Sequence, residues 1–275
     1  MSFTFITALY ETTRVHYDKR SFAEYRQWFE NTLKIPVPMV IYTEEKNRDI
    51  VEKSRGSLPT KVFYTSLQEV PFYYTKGKVE EIIQKSRLDP TTNIYKLLQR
   101  YPHNLEFNCS DYIPIVNSKF EWIKQAIEQN YFNTDMFFWI DAGLSRFFHF
   151  DLSKYHFNTE LINKIHTTNK IFLQIGKPKE YMDALNNKIN MDDYIGSCTN
   201  FIMAGFLGGN KGIMYEICNM GSKLYFEEGL NKNRVDNEQA FFGYILQKYK
   251  NDIIAIEPHR YVDCHIYYMF CNQTI

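Results

Sequence analysis

The sequence lacks the features that mark membrane, secreted and zinc-binding proteins. No apolar run approaches the roughly 18 residues of a membrane span, and the N-terminus has no basic segment followed by a long apolar one. The five cysteines form no C-x-x-C pair and no zinc pattern, and their odd number predicts free thiols in a reducing compartment. We therefore expect a soluble cytoplasmic protein without a membrane span.

An excess of charge of either sign is also missing, because 32 basic residues balance 32 acidic ones. Proteins dedicated to nucleic acids normally carry a basic excess, so we expect no nucleic-acid partner. The motifs G-x-x-x-x-G-K-[ST], H-E-x-x-H and G-x-S-x-G are absent, and no G-x-G-x-x-G follows the first predicted strand. These absences count against a P-loop enzyme and against a dinucleotide-binding Rossmann enzyme.

What the 275 residues do contain is an alternation of strand and helix patterns. A predicted strand at 3–10, a helix at 22–34 and a strand at 39–42 make a βαβ opening. Further strands are expected at 61–64, 136–140, 171–175, 201–209 and 253–256. We predict a single α/β domain with a mostly parallel sheet flanked by helices, in which about 73–114 form a helical insertion.

The stretch at 136–140 is the most informative of these strands. It consists of five apolar residues without alternation, which is typical of a strand covered on both faces, and it ends at Asp141. Ligands of open α/β sheets bind just beyond the carboxyl ends of strands. Asp141 is therefore a candidate ligand-binding residue, and Gly143 would admit a ligand or a turn. The alternative is that Asp141 merely caps the following turn.

Other polar groups and glycines follow predicted strands or open a predicted helix. They are Thr7, Thr12, Arg14, Arg146, the stretch 205–209, Asp236 and Glu238. Carboxylates suit a hard divalent cation such as Mg²⁺ or Mn²⁺, which neutralises a pyrophosphate. Glycines admit a sugar close to the backbone, and helix N-termini favour anions. A nucleoside diphosphate would need such a set of groups.

Five motifs carry a resemblance to a known family. They are ITALY…R, NSK, FFWIDAGLSR, GFLGG and DNEQAFF, and they lie in this order from Phe5 to about Tyr244. The chain resembles the HtrL/YibB family, which is itself similar to the GT-A nucleotide-sugar glycosyltransferases. The resemblance implies a Rossmann-like GT-A fold with a mixed sheet. It also implies transfer of a sugar from a nucleoside diphosphate sugar, with a UDP-sugar expected, to a glycan or other hydroxyl acceptor.

The resemblance also implies a site for the donor and a metal. Asp141 matches the first Asp of the D-x-D motif, which holds the ribose or, through a Mn²⁺ or Mg²⁺ ion, the diphosphate. Gly143 stands where the second Asp, usually the direct metal ligand, is found. A C-terminal histidine often completes the metal shell, and His259 or His265 would take this part here. The alternative is a histidine packed in an aromatic-rich tail.

An acidic pair is expected on the acceptor side. Asp236 and Glu238 resemble the pair near the acceptor and the transferred sugar, where one of them would act as general base. Alternatively, Asp236 and Gln239 form an N-capping pair. Arg14 and Lys119 are candidate contacts to the diphosphate or the base.

The remaining predictions concern local structure around the site. Ser118 and Glu121 have the spacing of a capping box, which leaves Lys119 unexplained. Gly208 and Gly209 predict a turn past which the donor sugar would lie. Thr7 completes the set of predicted donor-binding residues.

Two rival functions remain open at this point. The first is a non-catalytic protein that binds a nucleotide sugar or a glycan, which the glycine at 143 favours. The second is another nucleotide enzyme such as a nucleotidyltransferase. That enzyme would need a glycine-rich loop after the first strand, and residues 11–14 contain no glycine.

Overall fold

The computed structural model describes residues 3–13, 20–148, 157–258 and 265–271. Seven strands in these ranges form one sheet. They are β1 (Phe3–Leu9), β2 (Met39–Thr43), β3 (Thr60–Tyr64), β4 (Met136–Ile140), β5 (Ile171–Ile175), β6 (Ile202–Asn210) and β7 (Ile253–Ile256). Their order across the sheet is β3-β2-β1-β4-β6-β5-β7.

Helices connect these strands and cover the sheet. They are α1 (Phe22–Leu33), α2 (Arg48–Arg55), α3 (Lys76–Leu88), α4 (Asn93–Arg100), α5 (Tyr112–Asn117), α6 (Lys119–Gln129), α7 (Thr159–Thr168), α8 (Pro178–Leu185), α9 (Lys211–Leu224), α10 (Glu238–Tyr249) and α11 (His265–Phe270). In the part of the chain that the structure describes, no helix combines the length and the apolar character that a bilayer span requires.

The strand directions confirm the predicted fold class. β1 pairs parallel with β2 and β4, β2 pairs parallel with β3, and β5 pairs parallel with β7. β6 is antiparallel to both of its neighbours, β4 and β5. The sheet is therefore mixed but mostly parallel. Because β6 runs against β4, its amino-terminal end lies at the same edge as the carboxyl end of β4.

β4 lies in the middle of the sheet, and apolar side chains cover both of its faces. All of its residues are buried. On one face the rings of Phe138 and Phe206 stack with centroids 5.6 Å apart. On the other face the rings of Trp139 and Trp122 stack at 6.1 Å. Burial of each such side chain contributes about 1.5–3 kcal/mol, so this strand fixes the position of Asp141 firmly.

Two helical regions can be set against the sequence-based expectations. The expected helical insertion at about 73–114 contains α3 and α4, and its status as an insertion stays a prediction. The sequence analysis predicts no element between the strands at 171–175 and 201–209, but α8 lies there and begins with a proline in its first turn. Only Tyr181 and Ala184 of α8 are buried, so its apolar stripe is too short to stand out in the sequence.

The predicted turn at Gly208 and Gly209 is wrong, because both glycines lie within β6. They pair with Phe138 and Phe137 of β4, three and four residues before Asp141. A Cβ added at Gly208 would overlap the Phe138 ring, and one at Gly209 would lie 2.5 Å from the Lys170 carbonyl oxygen. Glycine is needed at these positions because the neighbouring backbone and ring leave no room for a side chain. Close packing of strands and a turn can thus produce the same glycine pattern in a sequence.

We expect Gly208→Ala to lower the free energy of unfolding by about 1–3 kcal/mol, because the added methyl group overpacks the sheet against Phe138. Gly212→Ala in α9 is the matched control, since nothing lies within 4 Å of its added Cβ. Alanine there should be neutral or stabilise the helix by up to about 1 kcal/mol. Urea denaturation measures both variants, and equal effects would contradict this packing account.

Candidate functional site

A cavity of about 650 Å³ opens at the edge of the sheet where β1 and β4 end and β6 begins. Its wall includes residues 8–12, 141–144 and 203–206, together with Lys119, Trp139, Arg146 and Glu238. The volume is in the range of about 300–1,000 Å³ that is usual for small-molecule sites. The position agrees with the general rule for ligands of open α/β sheets.

Asp141 lies in this wall, directly after β4. Its backbone N–H donates to the Gly205 carbonyl oxygen at 2.8 Å, which continues the pairing with β6 by one residue. Its Oδ1 accepts a hydrogen bond from Trp139 Nε1 at 2.5 Å. The side chain is 48% exposed, and its Oδ2 accepts no hydrogen bond from the described residues. The carboxylate thus does not cap the following turn, and it presents one oxygen to the cavity.

Gly205 makes room for this carboxylate. A Cβ added at Gly205 would lie 3.5 Å from Asp141 Oδ2 and 3.1 Å from a methyl carbon of Leu144. Of the glycines in the GFLGG motif, Gly205 therefore borders the cavity, whereas Gly208 and Gly209 do not.

Lys119 joins the two acidic residues of the cavity wall. Its Nζ donates to Glu238 Oε1 at 2.6 Å and to the Ala204 carbonyl oxygen at 2.9 Å. The same Nζ lies 3.5 Å from Asp141 Oδ1, and the lysine side chain is only 4% exposed. We call Lys119, Asp141 and Glu238 the charge triad. It carries one positive and two negative charges in its ionised form.

The protonation of the charge triad follows from burial and from mutual attraction. Burial by itself lowers the pKa of Lys119, but the attraction of Asp141 and Glu238 outweighs it, and the pKa is raised. Burial raises the pKa of Glu238, although Lys119 acts in the opposite direction. Lys119 is therefore held as a charged ammonium, and Glu238 binds a proton more readily than an exposed glutamate does.

The predicted capping box at Ser118 is wrong. Ser118 has helical backbone angles, because α5 runs almost directly into α6. Its hydroxyl donates to the Pro114 carbonyl oxygen at 2.7 Å and accepts from Phe72 N at 3.0 Å. Glu121 instead contacts Lys124 and Ser222. The Ser118 hydroxyl bonds to a carbonyl oxygen of the preceding helix α5, an acceptor that the first residue of an isolated helix lacks. The local sequence around Ser118 does not show that α5 precedes α6.

Glu238 is the first residue of α10, and its neighbour Asn237 caps the helix. The Asn237 side chain accepts hydrogen bonds from Gln239 N and Ala240 N. The alternative of a capping pair formed by Asp236 and Gln239 is therefore wrong. The capping by Asn237 leaves Glu238 in the cavity wall, where it meets Lys119.

Asp236 is fully buried and is not part of the cavity wall. Its Oδ2 accepts from Gly196 N at 2.8 Å and Cys198 N at 3.2 Å, and its Oδ1 accepts from Asn237 N at 2.8 Å. Gly196 and Cys198 both have positive φ, at 89° and 51°. Burial raises the pKa of Asp236 to about 7, against these backbone hydrogen bonds. This carboxylate holds the chain that leads into β6 and lacks the access that a base for the acceptor needs.

Two further predicted site residues that the structure describes, Thr7 and His265, do not line the cavity. Thr7 is buried in β1 and its hydroxyl has no hydrogen-bond partner, but it does not line the wall. Nδ1 of His265 lies 3.1 Å from the Glu257 carbonyl oxygen, also outside the wall. Arg14 and His259 lie outside the described residues.

The described residues form no ready-made site for a divalent cation. They contain no group of three His, Cys, Asp or Glu side chains that could hold a metal ion. In the charge triad, Asp141 Oδ1 and Glu238 Oε1 already face the Lys119 ammonium, which would repel a second cation. The predicted metal set of Asp141, His259 and His265 is therefore not assembled here by the residues that the structure describes.

Sequence reasoning missed the aromatic part of the wall. The rings of Tyr10 and Trp122 are stacked at 5.7 Å, and Trp122 stacks on Trp139 in turn. The signal for Trp139 was present, because residues two apart on a strand point to the same face, and Trp139 precedes Asp141 by two. Tyr10 and Trp122 belong to different elements, and no spacing rule connects them.

A family assignment follows from comparison with known sequences. Residues 1–265 match the model of a family described as "Bacterial protein of unknown function (HtrL_YibB)". The chain belongs to the HtrL/YibB family. Protein HtrL of Escherichia coli strain K12 is 29% identical over 124 residues, which are 45% of this chain and 41% of that relative's length. The resemblance seen in the motifs is thereby confirmed.

Two solved structures show a distant likeness to this member of the HtrL/YibB family. Apo mouse xyloside xylosyltransferase 1 is similar with a TM-score of 0.42 and 10% identity, over 93% of this chain and 84% of that one. The 4-diphosphocytidyl-2C-methyl-D-erythritol synthase of Anaerococcus prevotii DSM 20548 has a TM-score of 0.40 and 12% identity, over 95% and 90%. At such low scores the likeness supports no assignment of activity.

We expect Lys119→Met to lower the free energy of unfolding by about 3–5 kcal/mol, because it leaves Glu238 buried and unpaired. The double variant Lys119→Met/Glu238→Leu should recover much of this loss. Lys124→Met in the same helix is the control, since its ion pair with Glu121 is more exposed and contributes about 1 kcal/mol or less. Urea denaturation of these variants and of Glu238→Leu alone gives the coupling energy between Lys119 and Glu238, and a coupling near zero would contradict the charge triad.

We also expect Asp236 to make stability depend on pH. Its folded pKa of about 7 lies above the value of about 3.9 in an unfolded chain, so the unfolded state loses the proton first as pH rises. The contribution of Asp236 to the free energy of unfolding is therefore largest below about pH 4 and falls by up to about 4 kcal/mol towards pH 7. Asp236→Asn should remove this decline in urea denaturation across that range, and parallel pH profiles would contradict it.

Proposed function

We propose that the protein transfers a sugar from a nucleoside diphosphate sugar to a hydroxyl group of a glycan or other acceptor. A UDP-sugar is the first donor to test. One observation carries the proposal: the carboxylates of Asp141 and Glu238 meet at Lys119 in the wall of a cavity at the carboxyl edge of the sheet. The motifs shared with the HtrL/YibB family, which led to the same expectation, support it.

The proposed reaction exchanges one bond at the anomeric carbon for another. The acceptor oxygen forms a bond to this carbon while the bond from the carbon to the diphosphate oxygen breaks. The nucleoside diphosphate leaves with the electron pair, and the acceptor hydroxyl loses its proton. Glu238 is the candidate base, because it lines the cavity and its raised pKa favours proton uptake. Lys119 holds Oε1, so the proton would go to Oε2.

Asp141 takes the donor side in this proposal. Trp139 and Lys119 fix its Oδ1, which sets the direction of the carboxylate. Oδ2 is left to accept hydrogen bonds from hydroxyl groups of the ribose or the sugar. A binding site needs side chains whose own orientation is fixed by neighbouring contacts, and Asp141 meets this requirement. Tyr10 and Trp122, whose rings are stacked on each other, also line this cavity.

A second candidate is a non-catalytic protein that binds a nucleotide sugar or glycan. The observation that favours it is the contact of Lys119 with Glu238 at 2.6 Å, since a carboxylate in an ion pair is a weaker base. Binding without turnover would distinguish this candidate from the transferase.

We expect the purified protein to bind a UDP-sugar and to release UDP when an acceptor or water is present. Asp141→Asn should weaken donor binding about 10-fold to 100-fold, because a charged acceptor of hydrogen bonds is lost. Asp135→Asn is the matched control: Asp135 precedes β4 at its other end, is exposed and pairs with Lys211. A panel of UDP-sugars, with calorimetry for binding and a UDP-release assay for turnover, measures both variants.

Three outcomes of this panel separate the candidates. Binding with UDP release supports the transferase, and binding without release by any acceptor supports the non-catalytic protein. If no nucleotide sugar binds, or if Asp141→Asn binds as tightly as the wild type, the role proposed for this cavity is wrong.

A further inference from the structure

We propose that the Arg146 guanidinium, and not a divalent cation, holds the diphosphate of the ligand in this cavity. The inference rests on the proposed function, because it assumes a nucleoside diphosphate. It identifies the positively charged side chain of the cavity wall that would contact the phosphates.

Lys119 is not available for this task. An ammonium has three N–H donors, and Nζ of Lys119 already faces Glu238 Oε1, the Ala204 carbonyl oxygen and Asp141 Oδ1. Its charge is more than balanced by the two carboxylates. The charge triad therefore presents a net negative charge, which would repel a diphosphate unless another cation of the wall offset it.

Arg146 has the opposite character. It lies in the short helical turn Leu144–Phe147 that follows β4, and it lines the cavity. Its guanidinium lies over the Phe147 ring at 4.4 Å and over the Trp28 ring at 5.6 Å. Within the described ranges no carboxylate forms an ion pair with it. Aromatic rings orient a guanidinium without neutralising its charge, so its N–H groups remain for an anion.

Gly143 lies directly beside this guanidinium. A Cβ added at Gly143 would lie 3.5 Å from Nη1 of Arg146 and 3.1 Å from Cε1 of Tyr25. A carboxylate at position 143 would therefore lie beside the guanidinium and offset its charge. With glycine there, the chain from Asp141 to Arg146 presents one carboxylate and one guanidinium to the cavity, and no pair of carboxylates.

The chemistry of the two groups fits the two halves of a nucleoside diphosphate sugar. Guanidinium groups bind phosphate oxygens through two parallel N–H···O bonds, with charge and geometry both matched. Asp141 Oδ2 accepts hydrogen bonds from hydroxyl groups, which the ribose and the sugar carry. Arg20 lines the same cavity.

The experiment measures binding of UDP and of uridine by calorimetry, first in EDTA and then with Mn²⁺ or Mg²⁺. We expect the wild type to bind UDP in EDTA with an affinity within threefold of that with metal. Arg146→Gln should weaken UDP binding at least tenfold and leave uridine binding unchanged, because uridine has no phosphate. Arg146→Lys keeps the positive charge but loses the planar, forked set of N–H donors. Its affinity for UDP should therefore lie between those of the wild type and Arg146→Gln.

Arg48→Gln is the matched control, since Arg48 is exposed on α2, pairs with Glu45 and lies outside the cavity. It should bind UDP like the wild type. UDP binding that requires Mn²⁺ or Mg²⁺ would overturn the inference, as would equal UDP affinity of Arg146→Gln and the wild type. If the wild type binds UDP under no condition, the proposed function itself fails, so the two failures are distinguishable.

Discussion

The buried ammonium of Lys119 is the interaction on which the cavity depends. It lies at the start of α6 and contacts Glu238 of α10, Ala204 of β6 and Asp141 beyond β4. A charge out of water is costly unless partners surround it, so these elements must stay together for the ammonium to be tolerated. The same contact that holds the elements together also sets the direction of the two carboxylates.

The sheet topology makes this meeting possible. β6 is antiparallel to β4, so residues 203–205 at its beginning lie near Asp141, while Gly208 and Gly209 pair with Phe138 and Phe137, away from the cavity. A parallel strand in this position would place its carboxyl end at the cavity instead. The one reversed strand among those described thus supplies both the carbonyl that Lys119 binds and the glycine that makes room for Asp141.

The strands and most helices could be predicted, because their signals are local. The apolar run at 136–140 and the carboxylate after it identify β4 and Asp141 from residues within one short segment. The contact between Lys119 and Glu238 could not be predicted, since 119 residues separate them and no spacing rule reaches that far. The predictions at Ser118 and Gly208 were wrong because tertiary contacts can produce the same local sequence pattern as a helix cap or a turn. Asp236 and Glu238 differ by two positions, yet only the second reaches the cavity.

A crystal structure of the protein grown with UDP, in a buffer containing EDTA, would test the account most directly. We expect the diphosphate to lie between Arg146 and the edge of the sheet, a ribose hydroxyl to donate to Asp141, and Lys119 to keep its contact with Glu238. A diphosphate bound elsewhere on the molecule, or a Lys119 that leaves Glu238 to reach the phosphates, would contradict it.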